Sequence, residues 1–437
     1  MNKPFNISRK TESALDNILS HNKNINMKFH LSILLITICL TGNIQTAQAQ
    51  KKVTKRPTVT KKAPTSEELL HQAEDYYDGT NGVFMNREKA TELFRKAADM
   101  GNAKAQKWMY AILNETETNY PEAMKYLRMA AEQYDKDAMY ELGLCYYNGK
   151  CGLKKDQEQA LYWYRIAAEH NSPQALRNLG IVYHEGLCNI TVDKEVAFRY
   201  TKQAADLDDG LACGQTSYYY ERGDGVAIDV EKAIYYAKKG ADLGDRHSQY
   251  YYGGYLMEGA NGLEKNEKLA FDYFMKSAEQ GLNYAILAVA EFYQYGWGGL
   301  TQSKEEAKKW YVKASEAGSA TASLKIADFY CDNDNERLSW YQKAAEQGDI
   351  TGQAELAWAH CTGKAANYDT RAGAQELMKL MKTGNPRAVY YFAELLYQGA
   401  CGIPKDKKAA KRLFETVKDS DDDKASFMAS LYLSRMK

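Results

Sequence analysis

The sequence has no net charge, since Lys plus Arg and Asp plus Glu both number 57. A neutral chain lacks the broad positive field that attracts nucleic acid or anionic membranes, so no nucleic-acid partner is predicted. Proline is scarce, with 7 residues in 437, and long β-branched runs are missing. With plentiful Ala, Lys and Glu, this composition favours helices over sheets.

The sequence also lacks a recognisable catalytic or metal-binding motif. The histidines that follow residue 49 have no His or Cys partner at a helical spacing suited to zinc. No glycine-rich loop has the phosphate-binding pattern. The Ser-x-x-Lys spacing used by some acyl-enzyme nucleophiles occurs at Ser20–Lys23 and Ser434–Lys437, near the chain ends, where a buried site cannot be built. We therefore predict no catalytic residue, no metal site and no cofactor.

Residues 27–49 have the three-part organisation of a secretory signal peptide. A short basic start with Lys28 precedes an apolar run over residues 31–40, and Ala47 and Ala49 are the small residues that a signal peptidase recognises. The apolar run is short for a membrane-spanning helix, which takes about twenty residues. We predict export to the periplasm or secretion, with residues 1–26 an over-extended N-terminus ahead of a start at Met27. An uncleaved anchor helix is the alternative.

Residues 50–65 are basic, rich in Thr and Pro, and have no apolar periodicity. Such a composition is typical of a flexible, extended linker, because it cannot bury enough apolar surface to fold. The alternative role for its lysines is contact with an anionic surface, as in a structural protein of the cell envelope.

The remainder of the chain repeats itself with a period of about 37 residues. The unit that starts at Ala138 is marked by Leu142, Gly143, Tyr146, Gly149, Gly152, Asp156 and Ala160. Equivalent units restart at Ala175, Ala212, Ser248, Ala285, Ala322, Gly352 and Ala388, and two more degenerate units precede Ala138. About ten units follow one another over residues 66–420, and because one unit cannot bury its own apolar stripe, stacking of neighbours must supply the core.

Each unit is predicted to form two antiparallel helices. Residues zero, four and eight positions from the start of a unit lie on one stripe of the first helix. A small residue such as Gly143 allows the second helix to approach closely, and Gly149 ends the first helix because glycine tolerates the left-handed conformation. Asp156 is placed to cap the second helix. A last helix within residues 421–437 is predicted to cover the end of the array.

This pattern resembles the Sel-one-like repeat (SLR) family, a relative of the tetratricopeptide repeats. The match is nearly complete in the segment DAMYELGLCYYNGKCGLKKDQEQALYWYRIAAEHN at 137–171 and in residues 173–207. The resemblance implies an all-α fold, a right-handed α-solenoid of about ten helix–turn–helix repeats. Units at Ala105 and Ala322 depart from it, because they are shorter and lack the glycine-rich loop.

In tetratricopeptide solenoids the first helix of each pair lines a concave groove, so the resemblance implies a partner-binding surface here. The implied positions lie two, six and nine residues from the start of a unit, and they carry aromatic side chains interleaved with charge, as peptide-binding surfaces do. They are Tyr140, Tyr147, Arg177, His184, Tyr218, Glu221, Tyr250, Trp358, Tyr390, Glu394 and Tyr397. The alternative is that many of these tyrosines pack between neighbouring helices.

Seven cysteines follow the signal segment, and an odd number leaves at least one unpaired. Some secreted members of the family carry a disulfide in each repeat, but Cys does not recur twice per unit here, so that framework is not predicted. Cys151, Cys188 and Cys401 share one loop position, and equivalent positions of stacked repeats lie about 10 Å apart, beyond the reach of a disulfide. Cys145 and Cys151 are expected to be a poor pair.

The sequence thus predicts an exported, non-catalytic scaffold that binds a protein or peptide along its groove, with no transmembrane segment after signal removal and with a monomeric state. Two alternatives remain at this point. One is a cell-envelope hydrolase acting on β-lactams or peptidoglycan, which the resemblance suggests through cysteine-rich relatives, and the other is a structural envelope protein.

Overall fold

The computed structural model describes residues 63–115, 119–259, 261–365 and 369–436. The predicted signal peptide and the linker up to residue 62 lie outside this range. The described residues form 21 α-helices and one short 3₁₀ helix, without a strand, which confirms the predicted all-α fold. None of these helices combines the length and the apolar character that crossing a bilayer requires.

The described chain divides into two compact units. The first contains the residues up to Val182 together with Gly186–Ile190, and the second contains Tyr183–Glu185 and the chain from Thr191 onward. The helices of the first unit are α1 (Ser66–Asp78), α2 (Arg87–Asp99), α3 (Ala103–Glu115), α4 (Tyr120–Glu132), α5 (Lys136–Asn148), α6 (Gln157–Glu169) and α7 (Pro173–Glu185), whose last three residues belong to the second unit.

The second unit continues the same alternation of first and second helices. It contains α8 (Lys194–Asp206), α9 (Gly210–Arg222), α10 (Val230–Asp242), α11 (Arg246–Glu258), α12 (Glu267–Glu279), α13 (Asn283–Tyr295), the 3₁₀ helix Trp297–Gly299, α14 (Lys304–Glu316), α15 (Ala320–Phe329), α16 (Asp334–Glu346), α17 (Ile350–Thr362), α18 (Thr370–Met381), α19 (Pro386–Gln398), α20 (Lys407–Val417) and α21 (Asp423–Arg435). The shorter α15 belongs to the unit at Ala322, where the sequence already departs from the repeat pattern.

The boundaries of the helices follow from the residues predicted to set them. Gly149 ends α5 in the left-handed region with φ 64°, and its amide donates to the carbonyl of Cys145. The Asp156 carboxylate accepts from the first amides of α6, at 3.1 Å from Glu158 N and 3.0 Å from Gln159 N. Both features satisfy backbone groups that a helix end otherwise leaves unpaired. Ala138 and Leu142 are fully buried, as the predicted stripe requires.

The small residue five positions after the start of each unit, such as Gly143 after Ala138, permits close packing of the two helices, as predicted. A Cβ atom added at Gly143 would lie 2.7 Å from Cδ1 of Tyr164, and one at Gly253 would lie 2.9 Å from Cε1 of Phe274. Both rings are buried, so a larger residue at either glycine must displace an aromatic side chain of the second helix.

Replacing Gly143 with valine is therefore expected to lower the free energy of unfolding of the first unit by about 1–3 kcal/mol, the usual cost of overpacking. Urea unfolding followed by circular dichroism measures this change. Lys136→Ala on the exposed start of the same helix is the control, and it should change stability by less than about 0.5 kcal/mol. Equal stability of Gly143→Val and the wild type would contradict the packing argument.

Candidate functional site

In the first unit, three predicted groove residues lie on α5 and α7 and are half-buried: Tyr140, Tyr147 and Arg177. The ring of Tyr140 stacks on that of Tyr164 with centroids 5.9 Å apart. The ammonium group of Lys155 lies 5.6 Å from the ring centroid of Tyr147, a cation–π geometry. The first helix therefore presents aromatic surface here, but each ring is partly occupied by neighbouring residues.

In the second unit, His184 is part of a charged cluster. Its Nε2 lies 2.9 Å from a carboxylate oxygen of Asp224, its Nδ1 lies 2.6 Å from Glu185, and its ring stacks on that of Tyr219. Lys194 approaches the other oxygen of Asp224 at 2.7 Å. Because these charges are already paired with one another, the imidazole is held in place by the protein itself.

Three of the predicted groove residues prove to be buried, and the expectation of exposed side chains is wrong for them. Tyr250 is 7% exposed and packs against Phe274 and Tyr284, while Tyr390 is 3% exposed and Glu394 is 8% exposed. Tyr284 of the following repeat helps to cover Tyr250, and Phe414 and Tyr432 cover Tyr390. Glu394 is covered in another way, because the Tyr432 hydroxyl of the last helix donates to it at 2.9 Å.

Two more of the predicted residues are half-buried near the end of the second unit. Trp358 stacks on Tyr391 with centroids 4.6 Å apart and nearly parallel planes. Tyr397 contacts Tyr432 edge-on at 5.2 Å, and Lys407 lies 5.4 Å from its ring centroid. The two rings contribute to packing as well as to the surface of the first helices.

An aromatic and acidic surface of the second unit lies on the first helices of three consecutive repeats. Three tyrosines and three glutamates fall on one stripe of α9, α11 and α13, which we call the tyrosine–glutamate face: Tyr218, Glu221, Tyr251, Glu258, Tyr284 and Glu291. Five of them are half-buried and Glu258 is exposed. Of the six, sequence reasoning selected Tyr218 and Glu221. Glu291 has a marked offset, six residues from Ala285, but was not selected. Tyr251, Glu258 and Tyr284 occupy offsets that the tetratricopeptide analogy does not mark, although their spacing along one helical stripe could have revealed them.

The carboxylates of this face are held in an environment that disfavours their charge. Burial raises the pKa of Glu221, which accepts a hydrogen bond from the Tyr255 hydroxyl at 3.1 Å, while Arg222 partly offsets the rise. Although Glu258 is exposed overall, partial desolvation of its carboxylate raises its pKa, and the negative charge of Glu221 adds to that rise. A cation bound between these groups would relieve both effects.

The described residues contain no group of three or more His, Cys, Asp or Glu side chains arranged to hold a metal ion. The thiols, however, are closer than the sequence suggested. Cys145 and Cys151, which we expected to be a poor pair, lie with their sulfur atoms 3.3 Å apart, because the loop after α5 folds back over the end of that helix. The repeat-to-repeat distance argument does not apply to them, since both belong to one repeat.

Comparison with known proteins accounts for this architecture. The family model of the Sel1 repeat matches residues 75–102, 105–135, 136–172, 173–209, 210–245, 246–282, 283–319, 338–349 and 386–416. The chain belongs to the Sel1 repeat family. The Sel1 repeats cover most of the ten helix pairs, and repeats of this kind and the related tetratricopeptide repeats typically mediate protein–protein interactions.

Two solved structures are similar to this chain. The crystal structure of c5321, a protective antigen present in uropathogenic Escherichia coli strains that displays an SLR fold, is similar with a TM-score of 0.67 and 25% identity, over 85% of this chain and 80% of that chain. A Sel1 repeat protein from Oxalobacter formigenes is similar with a TM-score of 0.48 and 23% identity, over 75% of this chain and 93% of the other.

A curated relative is an F-box protein of Arabidopsis thaliana, which is 38% identical over 65 residues. The match covers 15% of this chain and 18% of the length of that protein. It therefore concerns a short stretch of repeats and says nothing of the remainder of either protein.

Proposed function

We propose that this Sel1 repeat protein is an exported, non-catalytic scaffold that binds a protein partner through the first-helix surfaces of its repeats. The proposal of export depends on the predicted signal peptide at residues 27–49. The observation that best supports binding is the tyrosine–glutamate face, where Tyr218, Tyr251 and Tyr284 stand beside three carboxylates. Within the second unit we assign partner binding to this face and to the half-buried groove residues His184, Trp358 and Tyr397. The half-buried groove residues of the first unit, Tyr140, Tyr147 and Arg177, are proposed as a separate contact surface.

The chemistry of the face supports a partner with basic side chains. Tyrosine rings attract Lys and Arg side chains through cation–π interactions, and partly buried carboxylates gain the most from a cation that replaces lost solvation. Lys155 over Tyr147 shows the same pairing within the chain. The expected ligand is therefore an extended segment rich in Lys or Arg, whose side chains lie along successive first helices of the second unit.

Replacing Glu221 and Glu258 together with glutamine is expected to weaken binding of a basic peptide by about tenfold or more, which corresponds to about 1.4 kcal/mol. The glutamines keep the size of the side chains and remove both charges. The probe is a labelled peptide of about twelve residues with alternating Lys and Ala, and its affinity is measured by fluorescence anisotropy at low salt, where charge attraction is strongest.

The matched control is Glu279→Gln, on an exposed position of the second helix α12, which should leave the affinity unchanged. Tyr251→Phe should retain most of the affinity, whereas Tyr251→Leu should lower it, because the phenyl ring keeps the cation–π interaction and leucine does not. Equal loss of affinity in Glu279→Gln and in the double variant would show only non-specific charge attraction and would contradict the proposed face.

A further inference from the structure

Two thiols of the first unit form a compact polar cluster that the binding proposal does not use. The sulfur atoms of Cys145 and Cys151 are 3.3 Å apart, and the side chains are 4% and 9% exposed. The hydroxyl of Tyr110 lies 3.3 Å from the first sulfur and 3.7 Å from the second. The Cys151 thiol also lies 3.2 Å from the amide oxygen of Asn114.

Cys151 stands at a loop position where the backbone is left-handed in several repeats. Its φ is 55°, and at the same offset Asn81 and Asn261 have φ 49° and 46°. Asparagine adopts this conformation more readily than other L-residues, so cysteine is the less favourable choice at this position. Cys188 and Cys401 occupy the same left-handed position, with φ 54° and 55°, so the contacts of the sulfur atom, and not the residue type, distinguish Cys151.

Among the described repeats, those of Cys151, Cys188 and Cys401 carry a cysteine at this loop position. Of these three, only Cys151 contacts a second cysteine from the preceding helix of its own repeat. The position of Cys145 is occupied by Val182 in the repeat that contains Cys188 and by Leu395 in the repeat that contains Cys401. The pair of Cys145 and Cys151 is therefore specific to one repeat and is not a consequence of the repeat pattern.

The two thiols differ in acidity in the manner expected of an attacking and a resolving cysteine. The hydrogen bond donated by Cys145, helped by Tyr110, lowers the pKa of Cys151 to about 7. The hydrogen bond with Cys151, followed by burial, raises the pKa of Cys145. The thiolate is the nucleophilic form in thiol–disulfide exchange, so the lowered pKa favours Cys151 over Cys145 as the attacking thiol.

We propose that Cys145 and Cys151 are a reactive dithiol that takes disulfide-bearing oxidants as its substrates and closes to an intramolecular disulfide. The Cys151 thiolate attacks one sulfur of the oxidant, forming a mixed disulfide and releasing one thiolate. Cys145 then loses its proton, attacks the sulfur of Cys151 and releases the second half of the oxidant. The oxidant gains two electrons and two protons and leaves as two thiols, while the protein loses two hydrogens.

The test treats the folded full chain with oxidised glutathione, blocks the remaining thiols with an alkylating reagent and maps the peptides by mass spectrometry. Trypsin cleaves after Lys150, between the two cysteines, so a disulfide joins two peptides that otherwise separate. The expected result is a linked peptide pair lighter by two hydrogens, with loss of alkylation at both residues, forming faster as the pH rises through about 7.

Variants taken from the protein's own repeats keep the test interpretable. Cys145→Val introduces the residue found at the equivalent position Val182, and it should retain a stable glutathione adduct on Cys151, because no resolving thiol remains. Cys151→Asn introduces the residue found at Asn81, and it should leave Cys145 unmodified while the loop keeps its fold. Cys188→Asn should leave the linked pair unaffected.

Full alkylation of both cysteines after treatment, or a glutathione adduct that persists on wild-type Cys151, would overturn the proposal.

Discussion

Replacing Arg387 with methionine is expected to lower the free energy of unfolding of the second unit by about 3–5 kcal/mol, the cost of leaving buried charges without their partner. Arg387 lies on α19 with its side chain 7% exposed. Its guanidinium nitrogens lie 3.1 Å from Asp328 of α15, 3.0 Å from Glu355 of α17 and 2.9 Å from Asp422, the capping residue of α21. One cation thus balances carboxylates from three other elements.

The control is Lys424→Met, which removes a second cation from the same cluster. Lys424 lies 2.7 Å from Glu355 but is 43% exposed, so its loss should cost no more than about 1 kcal/mol. Urea unfolding at neutral pH measures the free energy of unfolding of both variants, and equal stability losses for the two variants would refute the argument.

The architecture was predictable because the residues that start, end and pack the helices of a repeat all lie within that repeat. Gly149 at a helix exit and Asp156 at a helix start act through backbone geometry and capping, which depend on residues a few positions away. Gly143 was recognisable for a similar reason, since its role follows from the fixed spacing between the two helices of one repeat. Repetition then made each local signal visible several times, which explains why the helix pairs were counted correctly.

The surface residues were harder to predict because their exposure depends on the neighbouring repeat. Tyr250 has the offset of a groove residue, but the ring of Tyr284 lies with its centroid 6.0 Å away and helps to bury it. Arg387 was not selected at all, since its partners lie 32 to 59 residues away in sequence and no periodic signal connects them. Whether the half-buried positions bind a partner stays a prediction that the peptide experiment tests.

The cysteine pair illustrates a third kind of difficulty. The prediction from the sequence compared equivalent loop positions in stacked repeats, those of Cys151, Cys188 and Cys401. It did not consider that a left-handed residue after the helix exit turns the loop back onto its own helix, which brings Cys151 beside Cys145. Loop conformation, rather than the repeat spacing, decides which thiols meet.

The last helix, α21, covers the end of the second unit. Its Tyr432 makes both an apolar ring contact and polar hydrogen bonds. The ring of Tyr432 stacks on the fully buried Phe414 with centroids 4.9 Å apart. Its hydroxyl donates to Glu394 at 2.9 Å, and this carboxylate also accepts from Tyr390 and Gln398. A repeat array must close its last apolar surface, so these contacts should determine whether the final repeats remain folded.

Tyr432→Ala is therefore expected to destabilise the end of the second unit by about 3–5 kcal/mol, as truncation of a buried aromatic residue does. Tyr432→Phe keeps the stack on Phe414 and removes the hydroxyl, so it should cost about 1 kcal/mol, while Glu394 retains its other donors. Phe427→Ala on the same helix is the control, because that ring is 69% exposed and contributes little packing. Hydrogen exchange of α19 and α20 measures the effect, since loss of the covering contact should speed exchange in these helices first. If Tyr432→Ala and Phe427→Ala leave the exchange of α19 equally protected, the last helix does not hold the array closed.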